Sequence, residues 1–532
     1  MKAKDTSTST ENQTNIAARD LTFFYSMGAR LSDFGVSDLN FSVEPGQCLL
    51  VTGDSGSGKS TLVKLLNGLI PHFHPGKLAG QLTVSRDGVD FVPSQQPLSR
   101  AIEFSASVFQ NPRTQFFTES VDAELAFGLE NLGMDPDLIE ERIQAAVSLL
   151  GIERLRGRRL KHLSGGQLQT VACACALASL GGLVLFDEPT SNLSVDSIDI
   201  LTEALRRLKQ LGKTIVIAEH RLFFLNGIAD QVLYLQKGKV ARRFEAADFF
   251  GLSEPERRQL GLRSLHRQPV PVLPTETRSV AQRDGHPGAQ PAAQCSSRGL
   301  ELRDVRFSYG KNEVINLGHA HFPAGEVTAL IGPNGAGKTT LARLICGLST
   351  PRRGGSICLG GKEVGAGARR KAAQMVMQDV GRQLFAATVE EEVTLGLPKK
   401  KRDQVDVRAI LRALELDHFA KRHPQSLSGG QRQRLAIATA EAEEAQVYVF
   451  DEPTSGVGWR HLQSISALLR SLADSGAVVI VITHDHEFIR ESATRIIDMN
   501  DVNKPATSSN EIGRSKASCA KVDRTESTSS QD

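Results

Sequence analysis

Aromatic residues are few in this chain: one Trp and four Tyr among 532 residues. Charge of neither sign dominates. There are 63 Lys and Arg against 60 Asp and Glu, and the net charge is only +3. So small a total sets up no strong field for nucleic acid or lipid. The seven Cys are scattered, and only Cys173 and Cys175 lie close together. A C-x-C pair on a helix points its thiols to different faces. The cysteines are therefore expected as small apolar residues in a reducing compartment, neither disulfides nor a metal site. The opening stretch MKAKDTSTSTENQTN has no apolar core, so no secretory signal is expected. Long apolar runs are missing too. The nearest approach, 170–186, is uncharged, but Gly181-Gly182 breaks it and Asp187 ends it. Its counterpart, 435–450, contains Glu441, Glu443 and Glu444. Each reads as a buried helix, a turn and a buried strand rather than a membrane span. The chain is expected to be soluble or peripheral.

What is present is a duplication. The first half carries GDSGSGKST at 53–61, LSGGQ at 163–167 and FDEPTS at 186–191. The second carries GPNGAGKTT at 332–340, LSGGQ at 427–431 and FDEPTS at 450–455. Ser164 and Ser428, Asp187 and Asp451, and His220 and His484 are all separated by the same length of chain. Lys59 and Lys338 lie further apart than these pairs, so the first copy is the longer between its glycine-rich loop and LSGGQ. Equal spacing over so much chain means that whole domains are repeated.

Residues 1–15 are polar and expected to be disordered. A first domain is expected over 16–250, a linker over 251–298 and a second domain over 299–499. Residues 500–532, rich in Ser and Thr, are expected as a disordered tail. Within the linker, EPERRQLGLRSL suits a short helix, and the stretch from Pro269 to Pro291 reads as extended. In each domain apolar runs alternate with helical segments. Strands are expected at 48–52, 183–186 and 214–218, and at 327–331, 447–450 and 478–483. Near-continuous apolar runs fit strands covered on both faces, as in a parallel α/β sheet.

Both glycine-rich stretches fit the phosphate-binding loop G-x-x-x-x-G-K-[ST]. One comprises Gly53, Asp54, Ser55, Gly56, Ser57, Gly58, Lys59, Ser60 and Thr61. The other comprises Gly332, Pro333, Asn334, Gly335, Ala336, Gly337, Lys338, Thr339 and Thr340. The second follows an apolar strand, 327–331, and opens a helix-like run, 341–348. Small glycines let backbone N–H groups curl around phosphate oxygens at a helix N-terminus. The lysine of such a loop reaches the β- and γ-phosphates, and the hydroxyl after it binds Mg²⁺. Asp187 and Asp451 end apolar strands, where a carboxylate can hold Mg²⁺. Glu188 and Glu452 follow, placed to orient or deprotonate a water.

LSGGQ together with the phosphate loop and DEPTS resembles the ATP-binding-cassette (ABC) ATPase superfamily over both halves. The resemblance implies two P-loop NTPase domains in tandem, each a mainly parallel sheet with a helical subdomain. It implies head-to-tail pairing of the two cassettes within the chain. ATP would lie between Lys59 and Ser428, Gly429, Gly430 and Gln431. A second ATP would lie between Lys338 and Ser164, Gly165, Gly166 and Gln167. By the same resemblance Tyr25 and Tyr309 stack on adenine. Gln110 and Gln378 contact Mg²⁺ alongside Ser60, Asp187, Thr339 and Asp451. His220 and His484 support the γ-phosphate and the water that Glu188 and Glu452 activate. Two departures stand out. The family's D-loop, SxLD, reads Ser191-Asn192-Leu193-Ser194 and Ser455-Gly456-Val457-Gly458, without its Asp. Leu168 stands where the second copy has Arg432, which is expected to weaken the Lys338 site.

The segments QNPRTQFFTESVDAELAFGLENLGM, at 110–134, and QDVGRQLFAATVEEEVTLGL, at 378–397, resemble the energy-coupling-factor (ECF) importer ATPases. GLIPHFHPGKLAG, at 68–80, does as well, and its His72 and His74 read as loop residues rather than metal ligands. That resemblance implies separate integral membrane partners, a coupling protein and a substrate-binding protein, with no nucleic acid. The chain would sit peripherally at the cytoplasmic face of the membrane. It would drive uptake of a vitamin, a vitamin precursor or a metal ion. Glu119, Asp122, Glu124, Glu390, Glu391 and Glu392 are expected to meet arginines of the membrane partner, or else to stabilise a helix start. The competing readings are a soluble tandem ABC ATPase acting on ribosomes or nucleic acid, and a sugar-importer ATPase.

Overall fold

A computed structural model describes residues 13–27, 30–191, 193–274, 298–352 and 354–504. In the first half, five strands run parallel in the order Gln231–Gln236, Cys48–Gly53, Thr214–Ala218, Leu183–Asp187, Ser105–Val108, and Lys239–Glu245 adds an antiparallel edge. In the second half the parallel order is Arg495–Asp498, Val327–Ile331, Val478–Ile482, Val447–Asp451, Ala373–Val376.

The apolar runs bury both faces, because side chains alternate along a strand. Cys48, Leu50, Val184 and Phe186 join one core, which the helices Val121–Glu130, Pro136–Leu150 and Gly165–Ala178 complete. Leu49, Val51, Leu183 and Leu185 face the other way into a second core. That core lies against an antiparallel sheet of Thr14–Met27, Arg30–Val43, Gly76–Arg86 and Val89–Phe91. The second half repeats this plan. Its antiparallel sheet is Leu300–Tyr309, Asn312–Phe322, Ser356–Leu359 and Lys362–Glu363, and its helices include Val389–Thr394, Val407–Ala413 and Gly429–Glu443. No helix among the described residues is long and apolar enough to cross a membrane.

The edges differ from expectation. The first strand starts at Thr14, inside the segment expected to be disordered. The second cassette continues past Met499. A helix runs Met499–Val502, and Asn503 Nδ2 donates to the carbonyls of Val314 and Ala336. Residues 275–297 and 505–532, which hold most of the proline-bearing linker and of the tail, lie outside the described residues, as do 1–12. The first part of the linker is structured: a helix, Glu254–Gln259, carries a Ser253–Glu256 capping box. One cysteine also departs from expectation. Cys48, Cys173, Cys175 and Cys346 are free, but Cys358 is disulfide-bonded.

Two candidate nucleotide sites between the cassettes

Each phosphate loop links a central strand to a helix, Lys59–Leu66 or Lys338–Ile345. The residues before these helices are Gly58 (φ 105°) and Gly337 (φ 93°), in the left-handed region that glycine occupies without a Cβ penalty. Their absent side chains matter a second time. A Cβ on Gly58 would lie 2.7 Å from Val36 Cγ1, and one on Gly337 2.7 Å from Ile315 Cδ1. The antiparallel sheet packs directly on the loop.

The loop lysines are aimed inward. Lys59 Nζ donates to the carbonyls of Gly53 and Asp54, both at 3.0 Å, and lies 3.0 Å from His220 Nε2. Lys338 Nζ donates to Gly332 and Pro333 carbonyls at 2.7 and 3.0 Å, and lies 3.1 Å from His484 Nε2. An ammonium beside a ring nitrogen requires that nitrogen to accept, so both histidines are neutral here. Burial, reinforced by the lysine charge, holds His220 well below its ordinary value and lowers His484 to about 4.

The hydroxyl and carboxylate expected to hold Mg²⁺ are paired. Ser60 Oγ donates to Asp187 Oδ1 at 2.8 Å, and Thr339 Oγ1 to Asp451 Oδ2 at 2.9 Å. The set fits a hard cation: hydroxyl, carboxylate and an amide oxygen from Gln110 or Gln378. The Ser55 and Ser57 hydroxyls are buried without a hydrogen-bond partner, which suits a loop built to meet phosphate oxygens.

Glu188 (φ 47°) and Glu452 (φ 51°) both hold left-handed backbone, uncommon for a side chain of this kind. Their amides donate to Ala218 and Ile482 carbonyls at 2.8 Å, so the strand ladder fixes the turn. Glu188 Oε2 accepts from Gln110 Nε2 at 2.6 Å, and Oε1 lies 3.5 Å from His220 Nε2. Glu452 Oε2 accepts from Thr483 Oγ1 at 3.1 Å. Burial raises Glu188 to about 8 against the pull of Lys59, and Glu452 to about 7.

The LSGGQ motifs start helices. Ser164 and Gln167, and likewise Ser428 and Gln431, form reciprocal capping boxes for Gly165–Ala178 and Gly429–Glu443. The second motif reaches the first phosphate loop. Ser428, Gly429, Gly430 and Gln431 line a cavity of about 940 Å³ with Tyr25, Ser55, Gly56, Gly58, Lys59, Ser60, Thr61, Gln110 and Glu188. A Cβ on Gly430 would sit 3.7 Å from Ser55 Oγ. At the mouth, Phe34 stacks on Phe419 at 5.3 Å, closing the seam between cassettes.

The other site is built less fully. A cavity of about 330 Å³ is lined by Asn334, Gly335, Gly337, Lys338, Thr339, Thr340, Gln378, Asp451, Glu452 and His484, with Ser191 and Leu193 from the first cassette. Neither Ser164, Gly165, Gly166 and Gln167 nor Tyr309 is among its described lining residues. Tyr309 is half exposed. Gly165 meets Gln378 in an adjoining crevice instead. Leu168 is buried in its own cassette's core and lines that crevice with Gln378, outside the Lys338 cavity.

The second D-loop enters the first site. A Cβ on Gly456 (φ 69°) would lie 2.5 Å from Gln110 Nε2 and 2.7 Å from Glu188 Oε2. One on Gly458 would lie 3.2 Å from His220 Nδ1. The two D-loops meet where Ser455 Oγ donates to Ser191 O at 2.5 Å. Residues 36–191 and 316–455 match the family model described as ABC transporter. This chain belongs to the ABC transporter ATP-binding family. It is 37% identical to an ABC transporter ATP-binding protein of Treponema denticola, over 91% of this chain and 94% of that one. It is 33% identical to another from Methanosarcina mazei, over 87% and 84%. A solved structure described as RNase-L inhibitor shares the tandem fold, with a TM-score of 0.55 at 21% identity over 90% of this chain and 87% of that chain. Proteins of the ABC family are ATPases that bind ATP and Mg²⁺, and this ABC protein is an ATPase.

Several residues of the sites escaped sequence reasoning. Glu219 Oε1 accepts from Thr190 N at 3.0 Å and also from its hydroxyl. In the second cassette Thr454 Oγ1 donates at 2.8 Å to Asp485, two positions further along the repeat. The signal is visible as AEHR against ITHD, a mismatch inside an otherwise regular repeat. His72 Nε2 lies 3.1 Å from the carbonyls of Pro93 and Gln96, and His74 packs edge-on against Tyr25.

The raised carboxyl of Glu188 has a consequence for stability. The folded chain holds a proton there between the ordinary value of 4.5 and about 8. Stability contributed by that proton is therefore lost as pH rises through this window. The variant Glu188→Gln has no such slope. Without nucleotide, its melting temperature is expected to exceed wild type at pH 9, with the gap narrowing by pH 6. Parallel melting curves at the two pH values would remove Glu188 as the cause.

Proposed function

We propose that this ABC protein is the ATP-binding subunit of an ECF-type importer, hydrolysing ATP at two composite sites between its cassettes. The observation that carries the two-site reading is the cavity shared by Lys59 and Ser428–Gln431 of opposite cassettes. Lys59, Lys338 and the loop N–H groups hold the phosphates. Tyr25, packed edge-on against Phe23, offers its face to adenine in the first cavity, whose lining it joins. Ser60, Asp187 and Gln110, with Thr339, Asp451 and Gln378, would hold Mg²⁺. The ion supplies charge neutralisation at the β- and γ-phosphates. Glu188 and Glu452 accept the proton of the attacking water. Neutral His220 and His484 orient the water and the γ-phosphate.

The importer reading draws support from the segments 110–134 and 378–397. Of the six acidic residues there that were expected to meet a membrane partner, four are engaged within the chain. Asp122 pairs with Arg156 at 2.6 Å, and Glu390 pairs with Lys421. Glu124 accepts from Phe117 N and Thr118 N, and Glu392 from Phe385 N and Ala386 N. These buried carboxylates hold up two phenylalanines at equivalent positions, Phe117 (77% exposed) and Phe385 (74%). The membrane partner would dock on those rings, with the exposed Glu119 and Glu391 nearby. ATP draws the cassettes together, hydrolysis lets them part, and the rings carry that motion to the membrane. The cargo is a vitamin, a vitamin precursor or a metal ion.

Replacing Glu188 and Glu452 together by Gln is expected to abolish turnover with ATP binding retained; wild-type turnover would remove both from the mechanism. The better-enclosed Lys59 site should dominate, so Glu452→Gln alone is expected to lose less activity than Glu188→Gln alone. Purified from membranes of its own host, the chain should bring integral membrane proteins with it. Recovery with ribosomes alone would overturn the importer reading. The double variant Phe117→Ser and Phe385→Ser should keep basal hydrolysis within about twofold and lose membrane-protein recovery.

A further inference from the structure

Residues 254–268 form a strap that leaves the first cassette and lies on the seam. Tyr234 Oη, in the first cassette, donates to Leu260 O at 2.7 Å. The Arg257 guanidinium stacks over the Trp459 ring of the second, 4.8 Å from its centroid. Gly261 passes over the first phosphate loop, where a Cβ would lie 3.0 Å from Asp54 Oδ1. Beyond it, Arg263 is only 4% exposed. Its Nη2 reaches both oxygens of Asp485 at 2.7 Å, its Nε reaches Glu487 at 2.6 Å, and its Nη1 donates to the Val457 carbonyl at 3.4 Å.

Internal symmetry gives the last contact its meaning. Leu193 is the counterpart of Val457 in the first copy of the repeat. Its carbonyl accepts from Arg221 Nη1 at the same 3.4 Å. Arg221 belongs to the first cassette's own loop, next after His220. The residue after His484 is Asp485, which carries the opposite charge and has no donor to offer a carbonyl. The guanidinium that holds the second D-loop therefore comes from the strap. It holds that loop at both ends, at Val457 directly and at Thr454 through Asp485. Between those points lies Gly456, against Gln110 and Glu188 of the Lys59 site.

We propose that Arg263 is a positioning residue for ATP hydrolysis, supplying to the second D-loop the guanidinium that the second cassette's own loop lacks. Its side-chain hydrogen bonds go to Asp485, Glu487 and Val457, so its loss acts on the geometry around Glu188 rather than on affinity. The inference rests on the ATPase activity and is independent of the importer reading. The test is steady-state ATP hydrolysis by the full chain. In Arg263→Gln, kcat is expected to fall about tenfold with KM within about twofold, as misplacement of a reacting geometry produces. Arg263→Lys keeps the charge but loses the fork, and should recover part of kcat. Arg267→Gln removes an exposed ion pair between the same strap and Asp199, and should change neither constant. An unchanged kcat in folded Arg263→Gln would overturn the proposal. So would a rise in KM alone, or an equal loss in Arg267→Gln. Should Arg263→Gln fail to fold, wild-type kcat in Arg263→Lys would overturn it equally.

Discussion

The closing of one cassette on the other is the constraint on which the sites depend. A phosphate loop can bind an anion alone, since backbone N–H groups and a lysine suffice. Water must also be excluded before a glutamate, a histidine and a cation can act strongly on one phosphoryl group. In this ABC protein the second cassette lies against the first phosphate loop. Gly429 and Gly430 cover the first loop, and Gly456 and Gly458 bring backbone against Gln110, Glu188 and His220. All four are glycines. At Gly456 a side chain would occupy the space of the Glu188 carboxylate. Glycine here is a requirement of approach, not of flexibility.

Desolvation then dictates the protonation pattern. Burial lifts Glu188 and Glu452 and lowers His220 and His484. Lys59 is lowered by the same burial, although Glu188 and Asp187 pull it up. The resting site thus carries less charge than its residue types suggest. A triphosphate with its cation would bring that charge back.

The parallel sheets were legible, because strands buried on both faces leave apolar runs that little else imitates. Leu183–Asp187 and Val447–Asp451 lie within a residue of where the pattern puts them. The antiparallel sheets were not. Thr14–Met27 has register shifts after Ala18, Leu21 and Phe24, which break the alternation a reader looks for. The site residues were legible wherever a motif repeats. The acidic residues at 119–124 and 390–392 were not, because composition cannot tell a carboxylate that faces a partner from one that caps a loop. Glu124 and Glu392 look available in sequence and are buried on three and two hydrogen bonds. Arg263 was invisible for another reason: it falls outside the repeat, in a stretch whose composition reads as linker.

The positions where the two copies disagree favour pairing of one copy with the other. Arg221 and Asp485 occupy equivalent places and face each other at 3.8 Å across the interface. Two identical cassettes would put like charges there, a repulsion of about 4 kcal/mol at an effective dielectric of 20. Divergence turns repulsion into attraction, but only between unlike copies, so it selects one arrangement over self-pairing. It also removes the guanidinium from one D-loop and leaves Asp485 buried beside Glu487. An isolated buried carboxylate costs several kcal/mol. A cation must come from elsewhere, and a segment already tethered to the first cassette arrives at high effective concentration. Arg263 meets that need. Ion pairs so buried are weak evidence for stability, since apolar packing often does as well. What apolar packing cannot do is hold a carbonyl and two carboxylates in one fixed geometry, and the D-loop requires that geometry.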